Sequence, residues 1–226
     1  MHRGLCLKDD IKKIVVYGAG GHGQVVADIL ICMQRSGKSV LPVGFIDDNP
    51  GLKHNTFLGI SVFGSESELP HIAHDALVVA IGNNETRKKV AMRMAAAGEK
   101  FFAAIHPSAV IAADTIIGQG CMICAGAVVN TGSVIGDHVI LNTGCTVDHH
   151  NHIGNFVHIA PGVNLGGEVQ IDEGVLTGIG SCVLPRTSIG AWAVIGGGGV
   201  VRKNIPAGAL AVGNPCRVVK IMTQNG

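Results

Sequence analysis

The sequence predicts two parts: an α/β unit over residues 1–104 and a parallel β-helix over residues 105–226. Three observations carry this. The first is a six-residue repeat that starts at Ile105 and steps through Ile111, Ile117 and Ile123 as far as Val201; 16 of its 17 positions are Ile, Leu or Val, Thr177 being the other. The second is a column of small or β-branched residues four positions after each aliphatic, Ala109 and Cys121 through Val175 and Gly199, broken only at Asn151. The third is a glycine-rich run, Gly18 to Gly23, between a β-like and a helix-like segment.

A short fixed period marks a solenoid, and six does not match a helical face. Each hexad reads as one short strand plus a turn. The Gly, Asn or Asp that often follows the aliphatic is expected to supply the corner conformation. Three hexads make one triangular coil, so the repeat makes about five coils whose aliphatics stack in three inward columns. A charge at Ile135 or Ile171 should be badly tolerated, since a buried Ile contributes roughly 1.5–3 kcal/mol.

In the α/β unit, residues 1–10 are expected to be a loose leader. Ile14–Tyr17 reads as a buried strand, and Val25, Val26, Ile29, Leu30 and Met33 give the next segment a helical stripe. A strand, a glycine turn and a helix N-terminus form a phosphate-binding arrangement. A second strand, Leu41–Ile46, ends at Asp47-Asp48, about where a Rossmann-type unit places an acid against a ribose or base. A third, Ala76–Ile81, ends at Gly82, and the helix after it takes Asn84 as N-cap with Arg87, Lys88 and Lys89 on its outer face. Phe101–Ala104 is a candidate fourth strand. Some 100 residues hold one mononucleotide half plus a strand, which favours a nucleotide sugar over a nicotinamide cofactor.

Composition excludes several classes. A net charge of +1 with 15% charged residues gives no electrostatic footprint for nucleic acid or an anionic membrane. No apolar run is long enough to span a bilayer, and the N-terminus lacks a signal-peptide pattern. Seven scattered cysteines fit a reduced, cytoplasmic protein. Cys121 and Cys124 form a CxxC, but the repeat already accounts for Cys121, so no metal is expected.

One hexad, Val147 to His152, breaks the rule. It holds Asp148, His149, His150, Asn151 and His152, and His158 ends the next hexad. Strand alternation implies that His149 and its neighbour cannot face the same space. Polar residues in place of a satisfied repeat point to a functional site. One imidazole suits a general base. Several suit zinc, but the prism-built carbonic anhydrases show a His-x4-His pattern that none of these histidines has.

Gly18-Ala-Gly-Gly-His-Gly23, Asp47-Asp48, Ala80-Ile-Gly-Asn-Asn-Glu85 with Arg87-Lys-Lys89, and the His149 hexad together resemble the nucleotide-sugar acetyltransferases of the sialic-acid O-acetyltransferase type. The resemblance spans about residues 12–216 and implies a left-handed β-helix. It implies acetyl-CoA as co-substrate, homotrimers with each active site between two prisms, and N-acetylation of a UDP-linked 4-amino-4,6-dideoxy sugar. It makes His149 the general base. His158, Ile179 and Gly197 match acetyl-CoA contacts, and the Gly167 N–H matches the donor to the thioester oxygen. Gly20, Gly21, His22, Asp47, Asp48 and Gly82 match nucleotide-sugar contacts, and Asn142 and His22 are candidates for sugar selectivity. The family pattern has Glu or Asp directly after the base. This chain has His150, so either Asp148 or His150 is left to tune His149, and the pH optimum or the nucleophile is expected to differ. The alternatives are O-acetylation of sialic acid or another sugar hydroxyl, a zinc lyase on the same prism, and a non-catalytic nucleotide-sugar sensor.

Overall fold

A computed structural model describes residues 11–222; the leader expected over residues 1–10 lies outside them. Strand β1 (Lys12–Tyr17), helix α1 (Gly21–Arg35), strand β2 (Val40–Ile46), strands β3 (Thr56–Phe57) and β4 (Ile60–Gly64), strand β5 (Ala76–Val79) and helix α2 (Asn84–Ala96) form the N-terminal unit. Its sheet runs β3-β4-β2-β1-β5, parallel except for β3. The β3–β4 hairpin was not expected. Its turn residues Leu58 and Gly59 both take positive φ, at 52° and 78°, and the sequence carries none of the usual Asn-Gly signals there. Phe101 makes an isolated bridge to Leu77 instead of a fourth strand, and Ala104–Ile105 already belongs to the prism.

From Ala104 to Val201 the chain winds a left-handed parallel β-helix of two-residue strands. Each strand pairs with the one 18 residues on, as Leu141 pairs with Ile159 and Val147 with Leu165, so three hexads close one coil. The first face holds strands such as Met122–Ile123, Ile140–Leu141 and His158–Ile159. The second holds Val128–Val129, Thr146–Val147 and Asn164–Leu165, and the third Val134–Ile135, His152–Ile153 and Gln170–Ile171. The second residue of each pair points inward, and Ile135, Leu141, Val147, Ile153 and Ile171 are all buried in one cluster. Strands Ala209–Val212 and Arg217–Ile221 extend the first face at its end.

The corners differ from the expectation. The left-handed residue stands three positions after the aliphatic, not one, and is filled by Gly126 and Gly144 but also by His138, His150, Phe156, Glu168, Arg186 and Trp192. The glycine directly after the aliphatic serves close approach between coils. A Cβ on Gly178 would stand 2.5 Å from the Gly197 nitrogen.

The N-terminal unit sits on the first face: Met122, Cys124 and Ile140 complete the core formed by α1 and β1. The seam is pinned by two side chains of α2. Asn83, not Asn84, caps the helix, accepting from Thr86 N at 2.9 Å. Asn84 reaches the prism instead and donates to the carbonyls of Gly174 and Val175, each at 3.1 Å. Arg87, expected on the outer face, is wholly buried. It donates to His138 O (3.0 Å), Ile81 O (2.8 Å), Phe156 O (2.8 Å) and Asn84 Oδ1 (2.9 Å). No carboxylate pairs with it among the described residues, and burial pulls its pKa down to about 9, so it stays charged at neutral pH. Its position was legible: Arg87, Val90, Ala91 and Met94 form one i, i+3, i+4, i+7 stripe, all buried.

Candidate functional site

The expected site residues fall into groups at four places. The first is the β1–α1 turn. Gly20 and Gly21 open α1 with no heavy atom within 4 Å of where their Cβ atoms would stand, which leaves the backbone there uncovered. Gly23 is needed for packing, since a Cβ there would lie 1.9 Å from Gly18 O. Asp47 braces this turn, accepting from Ala19 N (2.8 Å) and Asn49 N (2.9 Å). Asp48 accepts from the Tyr17 hydroxyl at 3.2 Å, beside a Tyr17–Glu66–Arg93 cluster that the sequence did not reveal.

The second group lies in the seam between the domains. His22, Gly82, Asn142 and His158 meet there. Gly82 O stands 3.4 Å from His158 Nδ1, and Asn142 Nδ2 stands 3.2 Å from His158 Nε2. A carbonyl only accepts, so Nδ1 carries the proton and Nε2 accepts from Asn142. His158 is thereby a neutral imidazole with both nitrogens engaged. Burial first, then the Arg87 charge, lowers its pKa to about 4, and the same causes bring His22 to about 4. The two rings are 6.2 Å apart, and His22 Nε2 is buried without a partner among the described residues.

The third group occupies the edge between the second and third faces. Here His149 and His150 face each other, Nδ1 to Nδ1 at 3.1 Å, with rings inclined at 77°. Strand alternation does not apply, because both sit in a turn and His150 takes φ 57°. Both are exposed. Gly167, one coil on, lies under the His149 ring: a Cβ there would stand 2.5 Å from His149 Nε2. Asp148 does not reach the imidazole in this arrangement. Its Oδ1 accepts from the His149 backbone N–H (2.8 Å) and from Asn130 Nδ2 (2.9 Å). Asn151, the lapse in the small-residue column, points inward and braces this turn. Its Nδ2 donates to Asp148 O at 2.6 Å and to Gly166 O at 2.9 Å.

Ile179 and Gly197 adjoin on successive coils at the edge between the first and second faces, Gly198 N donating to Ile179 O at 2.8 Å. Ile179 is 67% exposed. Asn142 occupies the same edge two coils earlier. Within one chain, then, His149 and Gly167 stand on one edge of the second face, while Asn142, Ile179 and Gly197 stand on the other. Among the described residues, no three His, Cys, Asp or Glu side chains converge as metal ligands, and no helix is long and apolar enough to cross a membrane.

Comparisons with known proteins agree on one relationship. Residues 13–94 match the family model described as PglD N-terminal domain. UDP-N-acetylbacillosamine N-acetyltransferase of Bacillus subtilis is 36% identical over 123 residues; the match takes in 50% of this chain and 51% of that protein, so the chain spans about half the length of this curated relative. Among solved structures, PerB of Caulobacter crescentus, in complex with CoA and GDP-perosamine, superposes with TM-score 0.84 at 35% identity, covering 93% of this chain and 98% of that one. The acetyltransferase domain of PglB from Neisseria gonorrhoeae gives TM-score 0.84 at 37% identity over 92% of this chain and 100% of that one. A further structure of that domain contains acetyl coenzyme A.

Proposed function

Because this chain belongs to the nucleotide-sugar acetyltransferase family, we propose that it is an acetyl-CoA-dependent N-acetyltransferase of the cytoplasm. Its acceptor is the amine of a nucleotide-linked amino sugar, with a UDP-linked 4-amino-4,6-dideoxy sugar as the preferred one. The observation that carries this reading is the exposed His149 imidazole lying over Gly167. A base and a backbone amide on adjacent coils are the two groups that acyl transfer from a thioester needs.

In this reading the sugar amine attacks the thioester carbonyl while His149 Nε2 takes its proton. The Gly167 N–H donates to the developing oxyanion, a contribution of roughly 3–4 kcal/mol in comparable sites. The C–S bond then breaks, and the proton on His149 passes to the departing thiolate. Metal is not required for any of these steps. Gly20, Gly21, Gly82, His22 and the Asp47–Asp48 pair hold the nucleotide sugar. His158, Ile179 and Gly197 hold acetyl-CoA.

The relatives support the substrate class. PerB is described in complex with CoA and GDP-perosamine, and the Bacillus subtilis protein is named for a UDP sugar. The geometry also supports a homotrimer. A threefold axis facing the second face would bring the His149 edge of one copy against the Asn142–Ile179 edge of the next and complete the site between copies.

Two measurements test this. Thiol release from acetyl-CoA should require a nucleotide amino sugar and fall by roughly a hundredfold or more in His149→Ala. Release with free sialic acid alone would move the reaction to an O-transfer. UDP binding without any thiol release would favour a sensor. In the second measurement, His149→Ala and His158→Ala, each inactive alone, should regain activity when unfolded and refolded together, because a mixed trimer contains interfaces with both histidines intact. No recovery would place both histidines in one chain's site.

A further inference from the structure

We infer that His150 is a positioning residue for the base: its imidazole accepts the His149 Nδ1 proton and so fixes the tautomer that leaves the His149 Nε2 lone pair free. This rests on the assignment of His149 as base and goes beyond it.

Two neutral imidazoles with Nδ1 atoms 3.1 Å apart must divide the roles of donor and acceptor. If His150 donated, its partner would keep its own proton on Nε2 and could not act as a base there. If His149 donates, Nε2 is free to take the substrate proton. The far side of His150 selects between the two. There the ring lies against Gly132, where a Cβ would stand 2.9 Å from His150 Nε2. On the Gly132 side stands Asp114, whose Oδ2 accepts from Gly132 N (3.0 Å) and Thr131 Oγ1 (2.7 Å). Those bonds hold its carboxyl below the usual range, so it is a fixed negative charge. A carboxylate on that side favours the proton of His150 on Nε2 and leaves Nδ1 as the acceptor.

Asp148 does not fill this role in the structure: its Oδ1 is taken by the His149 backbone and Asn130, and His149 Nδ1 faces His150 instead. The other charged or titratable groups facing His150 are Glu168, Arg186, Asp172 and His152, with which it lines an open cavity of about 800 Å³. Glu168 and Arg186 pair with each other at 3.3 Å across successive coils. Asp114 thus acts on His150 through its charge and not through a hydrogen bond, and His150 meets His149 directly, an imidazole in the place where the family pattern has a carboxylate.

The test compares His150→Leu, which cannot accept, with His150→Gln, whose amide oxygen can, and His150→Glu. The readouts are kcat against pH, KM for acetyl-CoA, and 15N NMR of the His149 ring. His150→Leu should lower kcat about threefold to tenfold, the scale of one ordinary hydrogen bond, with KM little changed, and should move the His149 proton from Nδ1 towards Nε2. His150→Gln should recover most of the loss. His150→Glu should move the acid limb of kcat to higher pH, because a carboxylate favours the imidazolium. Unchanged kcat and an unchanged His149 tautomer in His150→Leu would overturn the inference. So would a wild-type His149 with its proton on Nε2 at neutral pH, a result that needs no variant to fold. If His149→Ala kept full activity, the base assignment would fail by itself, while the NMR would still decide the hydrogen bond.

Discussion

Replacing Arg87 by Met should destabilise the protein by about 3–5 kcal/mol, since several buried acceptors lose their donor and each one left unsatisfied costs roughly 1–3 kcal/mol. The guanidinium is fully buried and makes four hydrogen bonds of 2.8–3.0 Å to carbonyls or an amide oxygen on both sides of the domain seam. Bonds from a charged donor contribute about 1.5–3 kcal/mol each, while burying the charge costs a large part of that sum. Met restores volume and relieves the charge, but most of the acceptors are backbone carbonyls that no side-chain change can remove. They stay buried and lose their donor, so the usual neutrality of swapping a whole ion pair for apolar residues does not apply. Lys keeps the charge, but its single ammonium cannot span the separated carbonyls, so Arg87→Lys should recover less than half. The assay is urea unfolding, with amide exchange as a local readout. Protection should fall first around 138, 156–157 and in α2, while the central coils stay closed. An unfolding free energy for Arg87→Met within about 0.5 kcal/mol of wild type would refute the pinning role, since ordinary surface substitutions stay within that margin.

Gly167→Ala should leave the fold intact and lower kcat about tenfold or more, because the new methyl would stand 2.5 Å from the His149 ring, which is exposed and free to swing away; unaltered kcat would remove His149 from its place over Gly167. Ile135→Asp, with the side chain 1% exposed between coils, should cost more than about 4 kcal/mol and abolish cooperative unfolding of the prism; near-native urea stability would contradict the inward column. Stability should also depend on acid. Burial lowers the pKa of His22, His138 and His158 to about 4 in the folded chain, while the unfolded chain binds their protons near 6.5. The unfolded state therefore holds more protons between pH 6.5 and 4, so this stability is complete above 6.5 and is lost as pH falls towards 4. At roughly 1.4 kcal/mol per pKa unit, the loss amounts to several kcal/mol. His138→Asn, which suits the left-handed backbone there, should flatten the fall between pH 7 and 5; an equally steep fall would exclude His138 as a contributor.

The prism was legible because its geometry enforces the repeat: an 18-residue coil puts Leu141 over Ile123 and under Ile159, so a slip of one residue would expose a whole column. The corner conformation was less legible. Trp192, Phe156 and Arg186 occupy the same left-handed position as Gly126, and only the three-residue offset, not residue type, identifies it. At the His149 turn, the alternation that holds in strands was carried beyond the strand end at Val147. The broken hexad marked a turn where two exposed histidines face each other, but Asn151 departs from the column as an inward brace for that turn. The domain seam was hidden for another reason. Arg87 sits in a run of three basic residues, and a charge run normally reads as a solvated face. Only its phase with Val90 and Met94 betrays it.

The two histidine pairs of this chain show what burial does with one side chain. In the seam, His158 is locked by Gly82 O and Asn142, and with Arg87 nearby both it and His22 resist a proton down to about pH 4. Such groups can shape a site and donate or accept in fixed directions, but they cannot shuttle protons at neutral pH. At the outer edge, His149 and His150 keep solvent access and touch the coil stack only through their turn. A corner of a β-helix can change its side chain without disturbing the inward column, which is set by Val147 and Ile153 on either side. Replacing a carboxylate with an imidazole at residue 150 is therefore cheap for the fold, and its consequence falls on the proton held by His149. The seam histidines therefore govern how stability responds to acid, while the consequence of residue 150 is to be read in the reaction, through the base it touches.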